Sequence, residues 1–439
     1  MKIYFIGIGG IGVSALAQYY LKKGHKVFGS DLVTSEITDN LIKIGAKIKK
    51  GLPAEKDIKG MDLVIYSPAV KSENPGRVFA KKLKIKTLSY PAALGELTKK
   101  HFTIAISGTH GKSTTTAMAA LVLEKAGLDP TVIIGTKIKE FGDSNCRVGN
   151  SKYLLIEADE HFASFLNYWP NIIALTNIEA DHLDFYKNLN NLLKTFKEYT
   201  SHLDKEGILI INEDDKNIKK IINKSNFKIK KYGLRQKEAK EVKKVLQVPG
   251  EHNVYNALAV LAIARSLNIP DSTTFKALSM FKGAWRRFEL IQEKPYILIS
   301  DYGHNPTKML SGLKAAREKY PKSEIWCVYQ PHQYQRTHYL FKEFVKAFKT
   351  APTDKIIITD IYDVAGREEN NIKKNVSSES LVKSINKKNV IYIKNSDLLD
   401  YLKKNIKNDV VLIIMGAGDI YLLVDELCLT GDRKRKKMN

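Results

Sequence analysis

The sequence predicts an α/β protein with largely parallel sheets, divided into three domains. Short apolar runs alternate with helical patterns along the chain, and three segments, opening at residues 2–6, 102–107 and 296–300, each restart a strand–loop–helix pattern. The length of 439 residues agrees with three domains of roughly 150 residues each. Polar stretches near 99–101 and 290–295 place the predicted domain boundaries, giving 1–99, 100–292 and 293–439.

The chain is strongly basic, with 71 Lys and Arg residues against 47 Asp and Glu residues and a net charge of +24. The lysines are spread along the whole chain and form no stripe interleaved with aromatic residues, so the charge is interpreted as a bias of composition. The densest basic cluster, Arg433–Lys437, is expected to be a frayed terminus. We therefore expect small-molecule partners, without nucleic acid or membrane, and composition does not predict an oligomeric state.

Three cysteines, Cys146, Cys327 and Cys428, are scattered along the chain without metal-binding spacing. This usage is typical of a reducing compartment. The apolar start of the chain is short and broken by glycine, unlike a signal peptide, and no apolar run reaches the length of a transmembrane helix. These observations predict a cytoplasmic protein.

The first domain opens with a glycine loop between a strand and a helix. Ile3–Ile6 runs into the G-x-G-x-x-G pattern of Gly7, Gly9, Gly10 and Gly12, and Asp31 follows a second strand about 20 residues on. Such a loop brings its backbone and the helix N-terminus against a diphosphate, and the acidic residue commonly binds ribose. The pattern predicts a Rossmann-like domain that binds a diphosphate nucleotide. It does not decide between a dinucleotide and another nucleotide.

The second domain opens with a phosphate loop of the P-loop type. The strand Phe102–Ser107 is followed by Gly108, Thr109, His110, Gly111, Lys112, Ser113 and Thr114 and then by an apolar helix. Backbone N–H groups of such a loop cradle phosphates, the lysine neutralises the β and γ charges, and the next hydroxyl binds Mg²⁺. The pattern predicts a central P-loop ATPase domain. An oxidoreductase that binds a dinucleotide at the first loop would have no use for this second, ATP-binding loop. An ATPase that acts on nucleic acid would leave the first loop unexplained.

Further short motifs follow in a fixed order over essentially the whole chain. They are Glu157–Glu160, Thr176–Asp184, Gly250–Ala257, Arg286–Glu289, Asp301–Thr307, Gln330–His332 with Arg336, and Gly416–Ile420. Together with the GTHGKS form of the phosphate loop, this set resembles the Mur ligase family of ATP-dependent amide ligases. The resemblance implies that the third domain is Rossmann-like as well.

The resemblance implies a ligase of peptidoglycan precursor synthesis. Through this synthesis the protein would take part in cell-wall biogenesis, cell shape and cell division. The implied reaction joins L-alanine to UDP-N-acetylmuramate at the expense of ATP, through an acyl-phosphate intermediate. The implied cofactor is Mg²⁺, with Mn²⁺ as a substitute, and ATP is a co-substrate. The alternative within the family is a ligase of cell-wall recycling that attaches a whole tripeptide to the same nucleotide sugar.

The resemblance also assigns roles to single residues. The implied catalytic residues are Lys112, Glu157, His182 and Arg336, and the implied metal ligands are Ser113, Glu157 and His182. ATP would be bound by the phosphate loop with His252, Asn253, Asn256, Arg287 and Asp301. UDP-sugar would be bound by Gly7, Gly9, Gly10, Gly12 and Asp31, and the amino acid by His304, His332 and Arg336.

Several of these positions have a second interpretation. Asn253 would serve equally as a helix N-cap, and Arg336 as a member of a surface ion pair. For Asp159 and Glu160, a capping or loop role accounts for the residues as well as a catalytic one.

The chain departs from the family's usual pattern at a few places. Tyr90 stands where an arginine is frequent, Asn305 where a histidine is common, and Gln333 where an arginine usually follows Pro-His. These departures concern the expected sugar and amino-acid sites rather than the phosphate loop.

Overall fold

Three β-sheets of five, seven and six strands follow one another along the described part of the chain. The structure is a computed structural model, and it describes residues 1–222, 227–363 and 370–428. The basic cluster Arg433–Lys437 lies outside the described residues. No helix within those ranges combines the length and apolar character that crossing a bilayer requires.

The first sheet is wholly parallel, with the strand order β3–β2–β1–β4–β5. Its strands are β1 (Lys2–Ile6), β2 (Lys26–Asp31), β3 (Lys47–Lys50), β4 (Leu63–Tyr66) and β5 (Lys86–Ser89). Its helices are α1 (Ile11–Lys22), α2 (Glu36–Lys43), α3 (Glu55–Ile58), α4 (Pro75–Lys82) and α5 (Tyr90–Thr98). The strand order reverses between β1 and β4, which is where doubly wound sheets bind ligands. The predicted Rossmann-like architecture is confirmed.

The central sheet has the order β12–β11–β10–β6–β9–β7–β8 and is parallel except for β8. Its strands are β6 (Phe102–Ser107), β7 (Thr131–Ile138), β8 (Ser144–Arg147), β9 (Tyr153–Ala158), β10 (Ile172–Leu175), β11 (Ile208–Asn212) and β12 (Lys228–Tyr232). Its helices are α6 (Lys112–Lys125), α7 (Leu183–Tyr186), α8 (Leu189–Thr200), α9 (Lys216–Ile221), α10 (Glu238–Val245), α11 (Glu251–Ser266) and α12 (Asp271–Met280).

The middle of the central sheet positions the phosphate loop. Strand β6 lies between β10 and β9, and all residues of β10 are fully buried, as expected for a parallel strand covered on both faces. The loops that leave the carboxyl ends of β6, β9 and β10 therefore meet at one edge of the sheet. The predicted residues lie at this edge: Lys112 begins the helix after β6, Glu157 lies near the end of β9, and His182 lies on the loop after β10.

The first and central sheets belong to one compact unit, formed by residues 1–246 and 254–281. Helix α1 packs on strand β8, and Asn145 of β8 is buried in this contact. Its amide nitrogen donates to the Ile11 carbonyl at 2.5 Å and to the Ser14 hydroxyl at 2.9 Å, while its amide oxygen accepts from Gln18 at 2.5 Å. A polar network thus fixes the first sheet against the central one.

The third sheet lies in a second compact unit, formed by residues 247–253 and those from 282 onward. Its order is β13–β14–β18–β15–β16–β17, parallel except for β13. Its strands are β13 (Glu289–Gln292), β14 (Ile297–Asp301), β15 (Ile325–Tyr329), β16 (Lys355–Ile358), β17 (Val390–Tyr392) and β18 (Val411–Met415). Its helices are α13 (Pro306–Lys319), α14 (Tyr334–Tyr339), α15 (Phe341–Thr350), α16 (Asn370–Lys373), α17 (Ser378–Ile385), α18 (Asn395–Asn405) and α19 (Leu422–Leu427).

Strand β13 precedes the predicted domain boundary at 292/293 but pairs with β14. The polar stretch that suggested the boundary is therefore the connection between two strands of one sheet. The domain ranges given above remain predictions.

Candidate functional site

The phosphate loop is packed against the segment that follows β10. Gly108 and Gly111 have φ angles of +130° and +83°, which L side chains rarely adopt. An added Cβ on Gly108 would collide with the Thr176 hydroxyl, and one on Gly111 with the Asn256 amide oxygen. Asn177 accepts hydrogen bonds from the backbone N–H groups of Thr109 and His110, through its carbonyl and its side chain respectively. The loop therefore has its phosphate-cradling form fixed by protein contacts.

Lys112 extends from the start of α6 back over the loop. Its ammonium donates to the Gly108 carbonyl at 2.7 Å and to Glu160 Oε2 at 2.6 Å, and it lies 3.4 Å from Asp159 Oδ1. Burial alone would lower the pKa of Lys112. The negative charges of Glu160 and Asp159 outweigh this effect, so the pKa of Lys112 lies above its ordinary value. Lys112 is therefore a charged group held at the mouth of the phosphate loop.

Ser113 and Glu157 form a pair of oxygen donors next to the loop. The Ser113 hydroxyl donates to Glu157 Oε2 at 3.1 Å, and the Gly135 backbone N–H donates to Glu157 Oε1 at 2.9 Å. Glu157 is placed by β9 and Ser113 by α6. A hydroxyl and a carboxylate side by side suit Mg²⁺, which prefers hard oxygen ligands. These two residues fit the predicted metal role.

His182 lies with Asp159 and Glu160 in a second group of donors. One ligand atom from each of the three residues lies within 4.8 Å of the other two, and His182 Nε2 is 3.7 Å from Glu160 Oε1. Burial lowers the pKa of His182 to about 4, so the imidazole is neutral near pH 7 and able to bind a metal. Burial raises the pKa of Glu160, with Lys112 opposing this rise and Asp159 adding to it.

His161 is a site residue that the sequence did not predict. Its ring stacks on the His182 ring with centroids 4.1 Å apart and an interplanar angle of 15°, and it also stacks on the Phe162 ring. This packing depends on backbone that no local pattern signals, because Phe162, Ala163 and His182 all have positive φ angles near 50°. The stack fixes the plane of the His182 ring.

The glycine loop of the first sheet lies at the switch point of that sheet. Gly7 has a φ of +77°, and the Gly7 and Ile8 N–H groups donate to the Ser30 carbonyl. The Gly9 N–H donates to Asp31 Oδ2 at 2.8 Å, so the acidic residue that the spacing suggested as a ribose ligand also holds the loop. The structure thus brings the predicted residues Gly7, Gly9, Gly10, Gly12 and Asp31 together.

Tyr90 links the glycine loop to the carboxylates of the central sheet. An added Cβ on Gly12 would lie 2.8 Å from the Tyr90 ring, so the two residues are in close contact. Burial raises the pKa of the Tyr90 phenol, and the carboxylates of Glu157 and Asp159 add to the rise. The tyrosine that replaces the family's frequent arginine therefore faces both predicted substrate regions.

The predicted adenine contacts divide between the two compact units. Asn256 lies in the first unit, where its amide oxygen packs closely against Gly111. In the second unit, Asn253 donates its side-chain N–H to the Pro249 carbonyl at 2.6 Å and its backbone N–H to the Gly250 carbonyl at 2.9 Å. His252 is exposed. Their contact with adenine stays a prediction.

Asp301 is the last residue of β14, and Arg287 lies just before β13. Asp301 accepts from the backbone N–H groups of Phe288 at 2.8 Å and Gly303 at 2.7 Å, and burial raises its pKa despite these bonds. The Arg287 guanidinium lies over the Tyr302 ring, 4.5 Å from its centroid. Arg286 is buried instead, and it donates to the carbonyls of Gly416 and Gly418. Of the two neighbouring arginines, Arg286 supports the fold, and the contact of Arg287 with ATP stays a prediction.

The three residues predicted to bind the amino acid lie together in the second unit. Arg336 Nη1 is 3.2 Å from His332 Nδ1 and donates to the His332 carbonyl at 3.3 Å. The His304 and His332 rings are 6.2 Å apart, and Tyr362 stacks on His332. Among the residues that the structure describes, no carboxylate pairs with Arg336. Its contact with the carboxylate of an amino acid stays a prediction.

Comparison with known proteins gives matches along the whole chain. Three family models match in order: the Mur ligase family catalytic domain over residues 2–102, the Mur ligase middle domain over 106–264, and the Mur ligase glutamate ligase domain over 286–418. The UDP-N-acetylmuramate–L-alanine ligase of Sulfurihydrogenibium sp. is 40% identical over 448 residues, which cover 97% of each chain.

Two solved structures are similar over nearly the full length. The UDP-N-acetylmuramate–alanine ligase of Thermotoga maritima has a TM-score of 0.80 at 28% identity and covers 100% of both chains. A murein peptide ligase of Psychrobacter arcticus has a TM-score of 0.73 at 23% identity, covering 97% of this chain and 98% of its own. The second likeness concerns the fold alone.

Proposed function

Because this chain belongs to the Mur ligase family, we propose that it is an ATP-dependent ligase that joins L-alanine to UDP-N-acetylmuramate in peptidoglycan precursor synthesis. The observation that carries this function is the 40% identity, over 97% of each chain, with a ligase of that name. The structural likeness to the Thermotoga maritima enzyme supports it. The recycling alternative has weaker support: the murein peptide ligase, at 23% identity, shares the fold, and a second ligase of this kind is 26% identical and covers 65% of this chain.

The proposed reaction uses two nucleotides, ATP and UDP-N-acetylmuramate, which accounts for the two phosphate-binding loops in one chain. A carboxylate is a poor electrophile, so the carboxylate of UDP-N-acetylmuramate first attacks the γ-phosphate of ATP; ADP leaves and an acyl phosphate forms. The amine of L-alanine then attacks the acyl carbon, and phosphate leaves. Both steps gather anionic groups, so positioning and charge neutralisation supply most of the catalysis. Lys112 and the N-terminus of α6 provide positive charge at the phosphates.

Mg²⁺ fits the donor set of the central sheet. Ser113 and Glu157, with His182 nearby on the loop after β10, would hold it. When bound, Mg²⁺ neutralises phosphate charge and polarises the transferred phosphoryl group. The Gly135 N–H fixes one oxygen of Glu157, so the carboxylate keeps its orientation without the metal.

The other two substrates have separate binding regions. The glycine loop at Gly7–Gly12, with the N-terminus of α1, would take the diphosphate of UDP-N-acetylmuramate. Arg336 would bind the carboxylate of L-alanine bidentately, with His304 and His332 beside it. We place the reaction in the cytoplasm.

Phosphate release tests the proposal most directly. The protein is incubated with ATP, Mg²⁺ and UDP-N-acetylmuramate, and L-alanine or the tripeptide of cell-wall recycling is added in turn. We expect release with L-alanine, and a product heavier than UDP-N-acetylmuramate by one alanyl residue in the mass spectrum. Release with the tripeptide alone would establish the recycling function. Release that is independent of the nucleotide sugar would contradict both functions.

A further inference from the structure

The first residue of helix α5 is a tyrosine that lies against the glycine loop. A Cβ added to Gly12 would lie 2.8 Å from Cζ and 2.9 Å from the hydroxyl oxygen of Tyr90. Gly12 is the second residue of α1, whose N-terminus faces the predicted diphosphate site. The Tyr90 hydroxyl therefore lies beside the place where the diphosphate of a nucleotide would bind.

The rest of α5 runs along the connection between β9 and β10. The Thr98 hydroxyl accepts a hydrogen bond from the Trp169 backbone N–H at 3.0 Å, and a Cβ added to Gly95 would collide with the Asn167 carbonyl. Going back along α5 therefore also goes back along this connection, towards the end of β9. At about 1.5 Å per residue, Tyr90 lies about 12 Å from Thr98 in that direction.

The carboxyl end of β9 carries Glu157, which contacts Ser113 at the phosphate loop. Burial raises the pKa of the Tyr90 phenol, and the charges of Glu157 and Asp159 raise it further, so the phenol stays protonated near pH 7. Its hydroxyl makes no hydrogen bond to the residues that the structure describes. A partly buried O–H donor thus lies between the glycine loop and the phosphate loop.

The nucleotide sugar of the proposed reaction has to span these two loops. Its diphosphate would lie at the glycine loop, and the carboxylate of its lactyl group has to reach the γ-phosphate of ATP at the phosphate loop. That carboxylate is the strongest hydrogen-bond acceptor in this part of the substrate. A neutral phenol can donate to it without adding a charge next to Glu157 and Asp159.

We propose that the Tyr90 hydroxyl donates a hydrogen bond to one oxygen of the lactyl carboxylate and leaves the other oxygen to attack the γ-phosphate. Tyr90 would thus recognise the group that distinguishes UDP-N-acetylmuramate from UDP-N-acetylglucosamine, which has no lactyl ether. The inference rests on the proposed function for the identity of this substrate. It adds a residue that reads the acid end of the nucleotide sugar.

Isothermal titration with three nucleotides tests this contact, in the presence of Mg²⁺ and a saturating non-hydrolysable ATP analogue. Tyr90→Phe removes the hydroxyl and keeps the ring against Gly12. We expect this variant to bind UDP-N-acetylmuramate at least about tenfold more weakly than the wild type, the scale of one hydrogen bond to a charged group. Its affinity for UDP-N-acetylglucosamine and for UDP, which lack the carboxylate, should not change. Tyr153→Phe removes a hydroxyl at the start of β9 and should bind all three nucleotides like the wild type.

Unchanged binding of UDP-N-acetylmuramate by Tyr90→Phe would overturn the proposal. An equal loss for all three nucleotides would overturn it as well, because the hydroxyl would then act on the shared uridine diphosphate or on the fold. In phosphate release, the KM for UDP-N-acetylmuramate should rise by a similar factor while the KM for L-alanine stays the same. Wild-type protein that does not prefer UDP-N-acetylmuramate over UDP-N-acetylglucosamine would contradict the proposed function and this inference together. A failure confined to Tyr90→Phe would leave the proposed function standing.

Discussion

The Gly9 backbone N–H donates a 2.8 Å hydrogen bond to Asp31 Oδ2, and a Cβ added to Gly9 would lie 2.9 Å from the same oxygen. The close approach of Asp31 therefore requires a glycine at this position, whether or not a diphosphate is bound. Asp31 holds the loop in the form that a nucleotide would find.

Replacing Gly9 by valine should weaken binding of UDP-N-acetylmuramate and leave ATP binding intact. The new side chain would displace Asp31 and block approach to the loop backbone, so we expect a loss of about tenfold or more, as for an overpacked site. Isothermal titration with each ligand separately measures the effect. Lys43→Val, which places the same side chain at an exposed position of α2, is the control. Equal loss of both ligands in Gly9→Val would contradict a local effect.

Replacing Lys112 by alanine should lower turnover by at least about 10²-fold, the scale of one lost electrostatic contact in a transition state. It should also destabilise the protein by about 3 kcal/mol, because Glu160 loses the cation that compensates its burial. Steady-state kinetics and urea unfolding measure the two effects.

Adding Glu160→Gln to Lys112→Ala should recover part of the stability and none of the turnover. The amide removes the buried charge, whereas the phosphates still lack their lysine. Activity near that of the wild type in Lys112→Ala would exclude the assigned ATP site.

Patterns in the sequence predicted the parts of the molecule that depend on local structure. The glycine loop, the phosphate loop and the alternation of strands and helices are set by residues close in the chain, and all three are confirmed as structural features. The neighbourhood of Ser113 and Glu157 was also predicted, although by resemblance rather than by spacing.

Long-range packing accounts for what the sequence did not predict. The group of Asp159, Glu160 and His182 needs left-handed backbone at His182, a conformation that few non-glycine residues adopt and that the sequence did not predict. The Asn145–Ser14 bond joins positions 131 residues apart, which no local pattern reveals. Asp31 was found by its spacing, but its hydrogen bond to Gly9 was not.

The buried thiol of Cys146 should make stability depend on alkaline pH. Burial raises the pKa of Cys146 from 9.0 to about 12, so the native protein keeps a neutral thiol where the unfolded chain ionises. The stability that the native state gains from its neutral thiol is fully present below pH 9 and is lost as the pH rises from 9 towards 12. At pH 10.5 the loss should be about 2 kcal/mol.

Urea unfolding of the wild type and Cys146→Ala at pH 8 and pH 10.5 measures this contribution. The stability difference between the two proteins should shrink at the higher pH, since other groups titrate alike in both. A difference that stays constant with pH would show that the thiol ionises equally in both states.

The amino-acid site gives the sharpest test of specificity. Arg336 is held by His332, 3.2 Å away, and presents a planar guanidinium that can bind a carboxylate bidentately. Arg336→Lys keeps the charge but loses this geometry, so the KM for L-alanine should rise at least about tenfold while that for ATP changes little. Arg317→Lys makes the same exchange in the same unit, where the arginine binds Asp354, and should leave the KM for L-alanine unchanged. An unaltered dependence on L-alanine in Arg336→Lys would remove Arg336 from the amino-acid site.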